Sequence, residues 1–117
     1  MQNLLEEKNR LRDTNKQVTY RGEDMLLVLQ EVEYILISLH KMGSYYCDKD
    51  RRCYEEETTN FIDNSLICDR LAKIRKCLCK GFDLRVGEDE MDDVERACSG
   101  ISYWTKPGQY SEEQWIK

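Results

Sequence analysis

The chain has 117 residues and a mass of 14.0 kDa, which gives room for one hydrophobic core of ordinary size. Six glycines and one proline exclude a collagenous or Pro/Gly-rich disordered chain and argue against a sandwich of short strands and tight turns. Eighteen basic and 23 acidic residues leave a formal charge of −5. That balance disfavours direct nucleic-acid binding, where affinity comes from cations displacing counterions, and favours a partner protein with a basic surface.

Residues 1–21 have helical character with a thin apolar stripe. Leu4, Leu11 and Val18 recur every seven residues, but Lys8 and Asn15 stand where a coiled coil would place its second apolar position. The column continues through Met25, Val32 and Leu39. Beyond Gly22 it widens, because Val28, Leu29, Ile35 and Leu36 join it at helical spacing. The pattern predicts the strongest helix over 23–42. Glu23 and Asp24 complement its dipole, and Gly43 is the expected stop.

A short connection over 44–49 leads to a long predicted helix over 50–80. Its buried stripe would be Phe61, Asn64, Ile67, Leu71, Ile74 and Leu78, flanked by Tyr54, Cys68 and Ala72. Thr58 and Thr59 mark its weakest point. Gly81 and Phe82 suit a glycine-type helix end. Residues 83–90 read as a loop entering an acidic helix start. Met91, Val94, Cys98 and Ile101 then mark one face, with Ala97 and Trp104 beside it, and Pro107 and Gly108 end the helix. Ser111 to Gln114 matches a capping box that would open a last turn carrying Trp115 and Ile116. The whole predicts an all-α, single-domain bundle of three to four main helices with short terminal helical pieces. Residues 1–22 would form a charged N-terminal helix or arm, and residues 23–117 the bundle core.

The first ten residues carry charges where a secretory signal needs an apolar core, and Gln30, Glu31 and Glu33 interrupt the most apolar stretch, Met25 to Leu39. The expected location is the cytoplasm, with no membrane span. Cys47, Cys53, Cys68, Cys77, Cys79 and Cys98 are then expected as reduced thiols, several of them small core residues, while an oxidising compartment would leave a Cys47–Cys53 disulfide open. Their spacing contains no Cys-x-x-Cys pair, so neither zinc nor a redox site is expected. His40 sits at the edge of an apolar face with no triad signature around it. The acidic run from Glu88 to Glu95 lacks the alternating ligands and central glycine of a calcium loop. Phosphate-cradling glycine loops and hydrolase motifs are missing. The sequence therefore predicts no enzyme, no catalytic, metal or cofactor-binding residues, and no cofactor.

Charge is unevenly spread. Residues 23–50 carry two basic and six acidic groups, and residues 81–117 carry four and nine. Helix dipoles account for part of this, with Arg70, Lys73, Arg75, Lys76 and Lys80 near a helix end and the acidic run at a helix start. The same acidic run could also meet a basic partner. The predicted partner-binding residues are Glu88, Asp89, Glu90, Asp92, Asp93 and Glu95, with Tyr103 and Trp104 as aromatic anchors of the kind that dominate interfaces.

Tyr54-Glu-Glu-Glu-Thr-Thr-Asn-Phe-Ile-Asp63 and Asp69-Arg-Leu-Ala-Lys-Ile-Arg75, with Asp92-Asp-Val-Glu-Arg96 and Tyr103-Trp104, resemble the helices of small bacterial immunity-type proteins over about half of the chain. The resemblance implies a toxin inhibitor, often of a nuclease, that binds by an acidic face. A small acidic inhibitor is the resulting expectation: an immunity protein, an antitoxin, or a phage counter-defence protein such as an anti-CRISPR. The alternative expectation is an oligomeric helical structural or adaptor module, a homodimer through residues 4–39.

Overall fold

The computed structural model describes residues 10–108. Over that span the protein is all-α, as the sequence predicts. A 3-10 turn, Asp13–Asn15, is followed by α1 (Gly22–Tyr46), α2 (Arg51–Asn64), α3 (Ile67–Cys79) and α4 (Asp93–Cys98), and no strand occurs among the described residues. Two compact units emerge. One is Gln17–Phe82, which holds the three long helices. The other combines, among the described residues, 10–16 with 83–108.

In the Gln17–Phe82 unit, α1 starts where expected, with Glu23 and Asp24 in its first turn. It does not stop at Gly43 but continues to Tyr46. Nothing there demands a left-handed residue, since the one described glycine with positive φ is Gly108. The end is set by packing instead. Tyr45 and Tyr46 meet edge to face at 4.8 Å, Tyr46 lies 6.3 Å from Tyr54, and the Lys49 ammonium donates to the Tyr45 carbonyl at 2.8 Å. That lysine occupies one of the carbonyls a helix end leaves orphaned.

The helix expected over 50–80 is two helices. Asp50 caps α2 by accepting from the Arg52 N–H at 3.1 Å. The break falls at Ser65–Leu66, past the threonines, because the Thr58 hydroxyl donates to the Tyr54 carbonyl at 2.8 Å and is accommodated inside the helix. Leu66 adopts a left-handed conformation with φ 52°. The Ser65 carbonyl then accepts from Arg70 Nε at 2.9 Å, and the Tyr34 hydroxyl donates to Ser65 Oγ at 3.1 Å. Neither partner is visible in local propensity.

The break resets the helical phase. Of the six stripe positions expected inside, Phe61, Ile67 and Ile74 turn inward, while Asn64, Leu71 and Leu78 face solvent. The inward face of α3 is Ile67, Arg70, Ile74 and Cys77. Cys68 and Ala72, expected as flanks, are exposed, whereas Tyr54 is half-buried. α1 packs against both α2 and α3, with Val28, Ile35 and Met42 half-buried along it, and α2 and α3 pack on each other. The Tyr34 and Phe61 rings lie 5.8 Å apart. Glu31 is held by Arg70 at 2.6 Å and Lys73 at 3.6 Å, and the Arg70 guanidinium stacks over Tyr34 at 4.2 Å. Tyr20 donates to the Leu78 carbonyl at 2.5 Å, and its ring fills the space a Cβ at Gly81 would need. Residues 10–21 are otherwise not helical apart from the 3-10 turn, in contrast to the sequence expectation. Leu4 lies outside the described residues.

In the other unit α4 has six residues. Asp92 and Glu95 form a reciprocal capping box at its start. The helix ends at Cys98 rather than at Pro107. Ser99 bonds back to the Arg96 carbonyl at 2.8 Å, and Ile101, with nothing covering it, stays exposed. The capping box expected at Ser111–Gln114 lies outside the described residues.

Candidate functional site

The acidic segment is organised around one buried cation. Arg96 is 8% exposed, and its guanidinium takes Asp89 in a two-pronged pair at 2.6 and 3.0 Å. It also reaches Asp93 at 2.8 Å, the Met91 carbonyl at 3.1 Å and the Arg10 carbonyl at 3.3 Å. Asp93, 3% exposed, accepts in addition from the Asn15 amide and the Arg12 N–H, both at 2.8 Å. Asn15 completes the circuit by bonding the Asp83 N–H at 2.7 Å and the Asp83 carbonyl at 2.9 Å. Thr14 and Arg85 in turn engage the Asp83 carboxylate.

These contacts stabilise the ionised carboxylates. Hydrogen bonds from Asn15, the Arg12 N–H and Arg96 lower the Asp93 pKa to about 2. Arg96 and the Met91 N–H hold Asp89 well below the ordinary carboxylate range, and Arg85 and Thr14 do the same for Asp83. The pairing with Asp89 and Asp93 raises the Arg96 pKa further above its already high value. Gly87 belongs to this construction, since a Cβ there would sit 3.2 Å from the Arg96 guanidinium and 3.3 Å from the Asp89 carboxylate.

The structure thus divides the predicted binding residues. Asp89 and Asp93 are bonded to Arg96, and Asp92 and Glu95 cap α4. Glu88 and Glu90 are exposed, and Glu90 sits in a left-handed turn at φ 64°. Tyr103 and Trp104 are exposed, Trp104 to 82%. Neither aromatic belongs to a helix.

The second candidate surface is on α1. This 25-residue helix has no buried residue, although it carries the most apolar stretch of the chain. Leu29 is 59% exposed and Leu36 58%, and Leu26, Val32, Ile37 and Leu39 are also open to solvent. Scattered exposed leucines are ordinary, but Leu29, Val32, Leu36 and Leu39 lie along one side of the helix, the kind of apolar stripe that interaction sites use. The sequence pattern places Leu29, Val32, Leu36 and Leu39 in the packed apolar column and, in the alternative expectation, in a homodimer contact through residues 4–39, whereas it does not single out Leu26 and Ile37. The available signal was excess: Leu26, Leu27, Leu29 and Ile37 spread around the helix beyond what one packed face can cover.

Other chemistry is sparse. The groove between α1 and α3, floored by Val28, Ile74 and Cys77 and rimmed by Lys73 and Lys80, holds about 200 Å³, less than a typical small-molecule pocket of roughly 300–1,000 Å³. Among the described residues no group of three or more His, Cys, Asp or Glu side chains could hold a metal ion, and no helix is long and apolar enough to cross a membrane. All six cysteines are free thiols: Cys47, Cys53, Cys68 and Cys98 exposed, Cys77 and Cys79 half-buried. His40 is exposed. No protein family, curated protein or solved structure matches the chain.

Proposed function

We propose that this chain is a non-catalytic binding protein that works by contact with another protein, and that the apolar face of α1 is its main contact surface. The observation that carries the reading is a 25-residue helix with no buried residue and a continuous exposed stripe of leucines. Keeping such a stripe in water forgoes about 25 cal/mol for every Å² that a partner would cover. The six free thiols suit a reducing compartment, so the proposed setting is the cytoplasm. The test is hydrogen exchange on the chain with and without its binding partner. Protection should concentrate on Leu26–Leu39, and L36E should abolish binding while leaving helicity unchanged. Protection confined to another segment sinks the assignment of α1.

The exposed Glu88 and Glu90, together with the net charge of −5, favour a second and more specific reading: a stoichiometric inhibitor of a basic protein such as a nuclease or toxin. Here the acidic turn steers encounter and Tyr103 and Trp104 anchor the contact. Titrating the product of the neighbouring gene with the purified chain tests it. Inhibition complete at a one-to-one ratio, and weakened at high salt, is expected. Undiminished activity at excess chain counts against this reading.

A further inference from the structure

We infer that the occupant of the α1 face is a second copy of this chain, with the two α1 helices packed antiparallel about a two-fold axis that passes at the level of Tyr34. The inference rests on the reading of α1 as a binding surface and names what binds there.

The first ground is a missing core. Among the described residues Ile67 is the single apolar side chain that is buried rather than half-buried, and the residues of α1 are half-buried or exposed. A domain of about 60 residues ordinarily removes roughly 60% of its unfolded surface from water. The Gln17–Phe82 unit has the apolar residues for a fuller core but leaves many of them outside. An identical chain is always present at equal concentration, and closed two-fold pairing is the commonest way for soluble chains to cover such a face.

The second ground is the register of the stripe. Met25, Leu29, Val32, Leu36, Leu39 and Gly43 step by four, three, four, three and four, the spacing of a packed helix seam. The positions are mirrored about residue 34. In an antiparallel pair Leu29 therefore faces Leu39 of the second copy, Val32 faces Leu36, and Met25 faces Gly43. The last match is one of shape. A Cβ built on Gly43 meets nothing within 4 Å, which leaves a gap for the long, adaptable methionine. The pairing also brings Glu33 near its own copy, on the exposed rim where water and salt screen the repulsion.

The third ground is extent. A 25-residue helix is about 37 Å long at 1.5 Å per residue. Pairing two such helices covers on the order of 1,000 Å² in total, the size at which specific interfaces begin.

Sedimentation equilibrium of the full chain over a range of concentrations tests the inference. A dimer is expected. L29E or L39K alone should raise its dissociation constant on the order of 100-fold. Helicity by circular dichroism should not change, because both side chains already face solvent in the single chain. The double variant L29E/L39K should recover at least tenfold of that loss, because antiparallel pairing sets each new carboxylate against a new ammonium. A monomer at every concentration, a dimer indifferent to the single variants, or a double variant that fails to recover each overturns the inference. A wild-type monomer that still loses a different protein partner on L29E substitution overturns the second copy alone and leaves the α1 surface standing.

Discussion

The two units of this protein distribute polarity in opposite ways. In the unit of three long helices, aliphatic side chains are plentiful, yet many of them face water, and Ile67 alone is buried. Among the described residues of the other unit the buried side chains are Asn15, Asp93 and Arg96, all polar, and every one of them is hydrogen-bonded. Buried polar groups are tolerable only when satisfied. The acidic unit is therefore closed in the chemical sense: several of its charges already have partners. The helical unit is open, because its unmet demand is for apolar surface. Charge draws attention to the acidic unit, while the physical incompleteness lies in the helical one.

The strongest way to break this contrast is Arg96→Leu. It removes the one cation that Asp89, Asp93 and two backbone carbonyls share. Breaking a buried pair by deleting one partner is far worse than never having built it, because the other charge stays buried and unpaired. Amides of Asp93–Cys98 should lose all protection from hydrogen exchange, while those of α1 to α3 keep theirs. Retained protection in α4 would show that the network is ornamental to that unit.

Next in size is Ile67→Ala, which should cost about 2–3 kcal/mol, at the low end for a buried aliphatic truncation because the surrounding core is thin. Leu71→Ala, one turn on and half exposed, should cost under about 0.5 kcal/mol. Urea midpoints measure both. Equal costs would mean that the inward face of α3 is not the one described.

That pair of residues shows how far the sequence was legible. Helical character could be read over 23–42 and over 50–80, because apolar spacing reports it directly, but 50–80 reads as one helix where there are two. The phase of α3 could not be read, because it depends on the break at Leu66. That break is stabilised by Arg70 reaching back to Ser65 and by Tyr34 reaching across from α1. The first contact is local, five residues back, but apolar spacing does not report it, and the second is a tertiary contact that no local window contains. The acidic run was legible as a helix start, but the capping box of Asp92 and Glu95 that opens it was not singled out. The internal use of Asp93 was hidden, since two of the residues that claim it, Asn15 and Arg12, lie some 80 positions away in sequence, while Asp89 is claimed by Arg96 seven residues on, through a loop whose path apolar spacing does not report. The α1 surface was legible in part: periodicity shows that a helix has an apolar face, which left a homodimer through residues 4–39 open, but not whether its own chain covers that face.

A smaller and graded effect is expected in acid. Asp93, Asp89 and Asp83 are all held below their ordinary values in the folded chain. Their contribution is fully present above the unfolded carboxylate value of about 3.9 and is lost as the pH falls toward the folded values, about 2 for Asp93. Stability of the α4 unit, followed by its amide signals in urea, should therefore drop between about pH 4 and pH 2. D93N should be weaker at neutral pH and show a shallower fall. An unchanged slope in D93N would remove Asp93 from the account.

The smallest effect separates the acidic residues that hold the unit from those free for a partner. Glu90 is a non-glycine residue at φ 64°, where its Cβ crowds the backbone, and its carboxylate forms no ion pair among the described residues. Glu90→Gly relieves the backbone and should stabilise by about 0.5–1 kcal/mol, less whatever the added freedom of the unfolded chain takes back. Glu88→Gln should leave stability unchanged. If both variants fold normally yet weaken inhibition of a basic partner, then a strained exposed glutamate has been kept for contact at a cost to the fold, and charge does mark a second working surface. If neither changes any binding, the acidity of this segment is fully accounted for by Arg96 and the α4 cap, and the α1 face is left as the surface through which the chain meets other proteins.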